Sequence, residues 1–162
     1  MSTVKKVFRT SLILLALASG LSSVAAMAAT PMAKTSAPGY FRMMLGEFEI
    51  TALNDGTIDL PVDKLLVQPE AKTHAELAQV YLKAPLETSV NAFLINTGSK
   101  LILIDAGTGS LFGPTLGKLI TNLKASGYTP AQIDDVYLTH LHADHIGGLV
   151  ANNALAFPNA II

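Results

Sequence analysis

The sequence predicts a mixed α/β fold: hairpin-paired and crossover-linked strands in one sheet, with helices on its outside. Three observations lead there. Short alternating or continuous apolar runs are separated by turn residues, as strands require. Later stretches repeat apolar residues at helical spacing. The strands first pair as hairpins and then alternate with helices, an order that yields a mixed sheet.

The chain has 162 residues, enough for one domain or part of one. Half of them are hydrophobic, which excludes a disordered polymer. Eleven basic residues against twelve acidic ones exclude a dedicated nucleic-acid binder, which would carry a basic stripe. With no cysteine there is no disulfide framework, thiolate metal site or cysteine nucleophile. Chemistry must come from His, Asp, Glu, Ser, Thr, Lys or Tyr.

Residues 1–28 read as a secretory signal peptide. Lys5, Lys6 and Arg9 form a basic start, residues 12–18 are apolar, and Ala26-Met27-Ala28 fits an A-x-A cleavage site. The alternative is an uncleaved membrane anchor, but Ser19, Gly20, Ser22 and Ser23 interrupt the run well short of the ~20 apolar residues of a span. The expected location is therefore periplasmic or secreted, with no stable membrane span after cleavage. Residues 29–38, rich in Pro, Ser, Thr and Ala, read as a flexible lead-in.

Residues 39–162 hold the fold. Residues 41–45 and 48–53 are expected strands around Gly46. Asn54-Asp55-Gly56 reads as a hairpin turn that returns residues 57–60 as a further strand. Thr73-His74-Ala75-Glu76 matches a capping box, so a helix is expected from Thr73, with Leu77, Val80 and Tyr81 as its apolar stripe and Pro85 at its end. Residues 89–96 and 101–105 should pair as strands, the second apolar on both faces and hence buried. A second helix is expected from Pro114, with Leu116, Leu119, Ile120 and Leu123 inward and Gly127 closing it. Thr129-Pro130-Ala131-Gln132 opens a short helical turn, and residues 135–139 form a strand. Residues 157–162 begin another apolar strand, so the domain is expected to be incomplete at Ile162.

Three of the four histidines lie in Thr139-His140-Leu141-His142-Ala143-Asp144-His145-Ile146-Gly147-Gly148. In extended chain, residues two apart point the same way, so His140 and His142 can converge on one cation. Asp144 and His145 follow as the chain turns and can face a second. Imidazole nitrogen and carboxylate oxygen suit zinc or a similar first-row divalent ion. The two glycines allow a tight turn and a helix start behind the ligands. The alternative is a solvated His-rich loop.

The H-x-H-x-D-H run after a strand resembles the metallo-β-lactamase superfamily, and Asn96-Thr97-Gly98 with Leu103-Ile104-Asp105-Ala106-Gly107 looks like its upstream strand pair. The segments 37–40, 45–53, 55–57, 83–90 and 111–117 are similar to the methyl parathion hydrolases. The resemblance implies the N-terminal half of an αββα sandwich (α+β/α/β), the C-terminal half being missing. It also implies two divalent metals, zinc as the expected ion, at one sheet edge. His140 and His142 would bind the first metal, Asp144 and His145 the second, with Asp144 a ligand rather than a general base. Asp105 would orient the ligand loop from behind; its alternative is capping the Gly-rich turn. Phe112 would line the leaving-group pocket; its alternative is core packing. The family's remaining ligands (a third His, a bridging Asp and a late His) have no counterpart here, and His74 matches no ligand position. The 162 residues alone are therefore expected to be inactive or a weak metal binder.

The implied activity is hydrolysis by a metal-activated hydroxide, on organophosphate triesters first, with lactones or carboxylic esters as the alternative and an inactive exported metal-binding fragment as the third reading. The expected partner is a small ester, phosphotriester or lactone and no nucleic acid, with a homodimer left open. Within residues 39–162 neither G-x-S-x-G nor S-x-x-K occurs, so a serine route has no signature. Gly107, Gly109 and Gly113 lack the lysine of a phosphate loop and read as a flexible rim.

Overall fold

The computed structural model describes residues 30–34 and 37–162. The chain divides into two units, Met1–Thr35 and Ser36–Ile162. The signal-peptide residues 1–28 lie outside the described residues, whereas residues 30–34, 37 and 38 of the lead-in are described and form no helix or strand; every element below belongs to the second unit. Among the described residues, no helix is long and apolar enough to cross a membrane.

Five strands form one sheet in the order β1-β2-β3-β4-β5. β1 (Tyr40–Leu45), β2 (Phe48–Leu60), β3 (Leu86–Asn96) and β4 (Leu101–Ile104) pair antiparallel in sequence order. The chain then crosses over through a helix, and β5 (Asp135–Tyr137) pairs parallel to β4. A parallel neighbour requires such a crossover, whereas β1–β2 and β3–β4 are joined by short turns. A small hairpin of β6 (Val150–Ala151) and β7 (Ala154–Leu155) follows.

Asn54-Asp55-Gly56 is not a turn. β2 runs straight through it, and the ladder to β3 slips one residue between Asn54 and Gly56. This bulge carries Asp55 into the interior, where its carboxylate accepts from Thr108 N (2.9 Å), Thr108 Oγ1 (2.6 Å), Gly117 N (3.2 Å) and Leu119 N (2.9 Å). Four donors outweigh the hairpin preference of Asp-Gly, because a buried carboxylate must be satisfied. A Cβ on Gly56 would lie 2.0 Å from the carbonyl oxygen of Thr115, so close approach demands the glycine.

Two helices connect β2 to β3: α1 (Val62–Leu65) and α2 (Glu70–Gln79). The capping-box expectation fails. α2 starts after Pro69, and Thr73 sits inside it, buried, accepting from Gln68 Nε2 at 2.8 Å. Glu76 is held by Gln68 (3.1 Å) and Lys72 (3.7 Å) instead. The helix ends before Tyr81, whose φ of +60° breaks it well ahead of Pro85. The expected stripe is not core: Val80 is 61% and Tyr81 98% exposed.

α3 (Leu119–Ala125) makes the crossover. It begins five residues after Pro114, because the backbone at Gly117 (φ +77°) is turned out of helix to donate to Asp55. Leu116 is buried nonetheless, from the loop. Gly127 (φ +98°) follows the helix end, and Pro130–Gln132 forms the expected 3-10 turn capped by Thr129.

One sheet face carries the core. Leu53, Ala92, Leu94, Leu103 and Val136 pack with Leu119 and Leu123 of α3 and with Ile133 and Phe157. Phe157 arrives from a bend, not a strand, and only Ile161 pairs beside Asp135. The expected strand over 157–162 is thus one bridge long. On the other face, paired residues form an apolar row, Phe41–Ala52–Phe93–Ile104–Tyr137, across all five strands. That face is half open: Phe93 is 45% and Tyr137 56% exposed. Consequently β4 is buried at Leu101 and Leu103 but only half-buried at Ile102 and Ile104.

Candidate metal centre

The C-terminal ends of the parallel pair β4–β5 are where ligands gather in α/β sheets. Asp105 leaves β4 with φ +62° and extends the ladder, its N–H donating to the carbonyl of Tyr137 at 2.8 Å. Its side chain turns towards the segment after β5. Thr139 donates both its N–H (2.9 Å) and its hydroxyl (2.9–3.0 Å) to the Asp105 carboxylate. His145 Nδ1 meets Asp105 Oδ2 at 2.8 Å.

His145 stands on α4 (Ala143–Ile146), a single turn, and the helical start expected at the glycine pair is a 3-10 turn over Gly147–Leu149 that follows it directly. Gly147-Gly148 serve close packing: a Cβ on Gly148 would lie 1.9 Å from the carbonyl oxygen of Ala106. The turn is further tied by Ala106 N donating to the carbonyl of His145 at 2.8 Å.

The ring of His140 lies 4.5 Å from that of His142 and 3.9 Å from that of His145, centroid to centroid. His145 Nε2 is 3.3 Å from Asp144 Oδ2. Two donors at that separation subtend about 100° at a cation ~2.1 Å from each, an angle a tetrahedral site accepts. Because Asp105 takes Nδ1 of His145, Nε2 is left for a ligand, the usual support of a metal-binding imidazole by a carboxylate behind it. Thr139 Oγ1 sits 3.1 Å from Nδ1 of His140 and offers that ring the same kind of support. Among the described residues, no three of these ligand atoms gather within 4.8 Å of one another. The His140 ring is nearer His145 than His142, so these contacts gather imidazole and carboxylate donors of the kind a divalent cation takes without singling out one pairing of ligands. His74 lies apart on α2, against Asp63.

The electrostatics follow from the same contacts. Burial pushes the Asp105 carboxyl up, but the Thr139 N–H, His145 and the Thr139 hydroxyl outweigh it and hold the group below its ordinary value. Asp105 is thus an anion behind His145.

The cluster opens on a cavity of about 770 Å³. His142, Asp144 and His145 line it. Ile58, Leu60, Phe93 and Phe112 line it too, together with polar Thr88, Ser89 and Asn91, and among the described residues no Lys or Arg lines it. Phe112 stands in this wall, 41% exposed, and not in the core.

Residues 86–151 match the metallo-beta-lactamase superfamily. The architecture is a partial metallo-β-lactamase fold. The chain is similar to a solved hydrolase of the beta lactamase superfamily, AbOPH, at 43% identity and TM-score 0.73, covering 78% of this chain and 44% of that one. It is similar also to AidC, a dizinc quorum-quenching lactonase solved with N-hexanoyl-L-homoserine as product, at 34% identity and TM-score 0.68, over 75% of this chain and 43% of that one. Among curated proteins, ribonuclease Z of Pyrococcus furiosus is 31% identical over 70 residues, 43% of this chain and 20% of its own length. The chain therefore spans less than half the length of these relatives.

Sequence reasoning missed two residues of this framework. Thr139 was visible only as the residue before the motif, and its bonds to Asp105 depend on the β4–β5 pairing. Asp55 carried a turn signal that hid its burial.

Proposed function

We propose that this chain supplies the first ligands of a two-metal hydrolase that cleaves small neutral esters, organophosphate triesters foremost. The observation that carries the reading is the cavity beside His142, Asp144 and His145: apolar side chains such as Ile58, Leu60, Phe93 and Phe112 share its wall with neutral polar ones such as Thr88, Ser89 and Asn91, and among the described residues no Lys or Arg lines it. A polyanionic nucleic acid, the kind of substrate the name of ribonuclease Z implies, would need cations along such a wall. A neutral triester needs only apolar surface and one polarising centre.

In this reading His140 and His142 hold one divalent cation, Asp144 and His145 the other, and zinc is the ion we expect. Bound there, two such cations supply acidified water and Lewis-acid polarisation of the ester oxygen. The chain's own residues do the positioning. Asp105 fixes His145 with Nε2 forward, Thr139 steadies Asp105 and His140, and Phe112 packs against the leaving group. Two protein ligands per cation fall short of the three that a catalytic zinc site keeps, so the 162 residues alone are expected to turn over slowly or not at all. Export is proposed from the sequence of residues 1–28.

Lactone hydrolysis is the second reading, favoured by the likeness to the dizinc lactonase. The product of the complete reading frame containing this chain, loaded with zinc, should be assayed on a p-nitrophenyl phosphotriester, an N-acyl homoserine lactone and a nucleic-acid phosphodiester. Preference for the triester supports the proposal, preference for the lactone moves it to the second reading, and preference for the phosphodiester overturns both.

A further inference from the structure

The connection between β2 and β3 holds a second group of metal-type donors, unrelated to the histidine run. Glu70 and His74 lie four residues apart on α2, so their side chains share one face. Asp63, in the first turn of α1, projects to the same place. One donor atom from each of the three can be chosen so that all lie within 4.8 Å of one another, a convergence found nowhere else among the described residues. His74 Nε2 approaches Asp63 Oδ2 to 3.3 Å.

The local charge balance is unusual for a mere surface ion pair. The Asp63 side chain is only 12% exposed, and it accepts no hydrogen bond from a described residue. No Lys or Arg among the described residues pairs with Asp63 or Glu70; Lys72 is committed to Glu76. Two carboxylates and one imidazole thus share this spot. His74 is the one ion-pair partner found for Asp63 among the described residues, and a divalent cation would draw the imidazole and both carboxylates together.

We infer that Asp63, Glu70 and His74 form an additional divalent-cation site that clamps α1 to α2. One imidazole nitrogen and two carboxylate oxygens select a borderline first-row ion such as Zn²⁺ or Co²⁺ over Ca²⁺, which prefers an all-oxygen shell. A water completes the coordination. Because Leu65, two residues beyond Asp63, lines the main cavity, the clamp also steadies one wall of that cavity.

The test uses the untagged 162-residue chain with His140→Ala, His142→Ala and His145→Ala, which removes all three histidines of the run as competing binders. Zn²⁺ and Co²⁺ are titrated by calorimetry, with metal content after dialysis as a second readout. One equivalent should remain bound in this background and raise the melting temperature. Adding His74→Ala should weaken that equivalent by about a hundredfold or more, since losing a ligand costs at least what losing an outer-shell partner does. Glu70→Gln, an exposed substitution that leaves the fold alone, should weaken it too. The inference is overturned if the background binds no metal, or if its bound metal survives both His74→Ala and Glu70→Gln.

Discussion

The imidazole of His145 and the carboxylate of Asp105 meet at 2.8 Å across forty positions of sequence. That single bond selects which nitrogen of His145 faces the cavity.

Asp105→Asn should therefore lower metal affinity at the His145 end by about 10–100-fold while the fold persists. Asparagine is the informative change because it tolerates the left-handed backbone found at this position (φ +62°), which alanine would strain. Competition with a chromogenic chelator measures the affinity, and an unchanged value would remove Asp105 from the site.

Asp55→Ala should cost about 3–5 kcal/mol, since it strands several buried donors at ~1–3 kcal/mol each. Urea unfolding monitored by circular dichroism reads the change. Asp55→Asn, which keeps an acceptor oxygen, should cost less.

Lys100 Nζ lies 2.6 Å from Asp135 Oδ2, and this contact raises the lysine above its ordinary 10.5. A folded value above the unfolded one contributes stability that is complete below pH 10.5 and is lost as pH climbs through the folded value. Lys100→Met should thus melt below the parent protein at neutral pH, with the gap closing on the alkaline side of 10.5. Melting curves from pH 7 to 12 check it; a constant gap would deny the contact its role.

Phe112→Ala should leave stability nearly untouched, because the ring is 41% exposed. In the zinc-loaded product of the complete reading frame it should raise KM for a p-nitrophenyl triester about tenfold, the worth of part of a phenyl ring's burial. Steady-state kinetics separate this from a fall in kcat.

What could be read from the sequence was what is local. His140, His142, Asp144 and His145 are neighbours in the chain, and strands β1, β3 and β4 carry their own apolar patterns. What could not be read depends on distant partners. Asp-Gly serves a hairpin turn or a bulge equally well, and Thr108, Gly117 and Leu119, all more than fifty positions away, decide between them. Thr73 and Glu76 spell a helix start, yet Pro69 begins the helix earlier and Gln68 claims both side chains. Leu116 extends the helical period of α3 backwards because it too is buried, from a loop bent by the pull of Asp55 on Gly117.

The apolar row from Phe41 to Tyr137 bears on handling the molecule. Water meets the rings of Phe41, Phe93 and Tyr137 there, the kind of exposed apolar row that promotes association. Produced as 162 residues, the protein should light up a hydrophobic dye such as ANS without denaturant and collect in inclusion bodies. Mild detergent should rescue it more effectively than added salt.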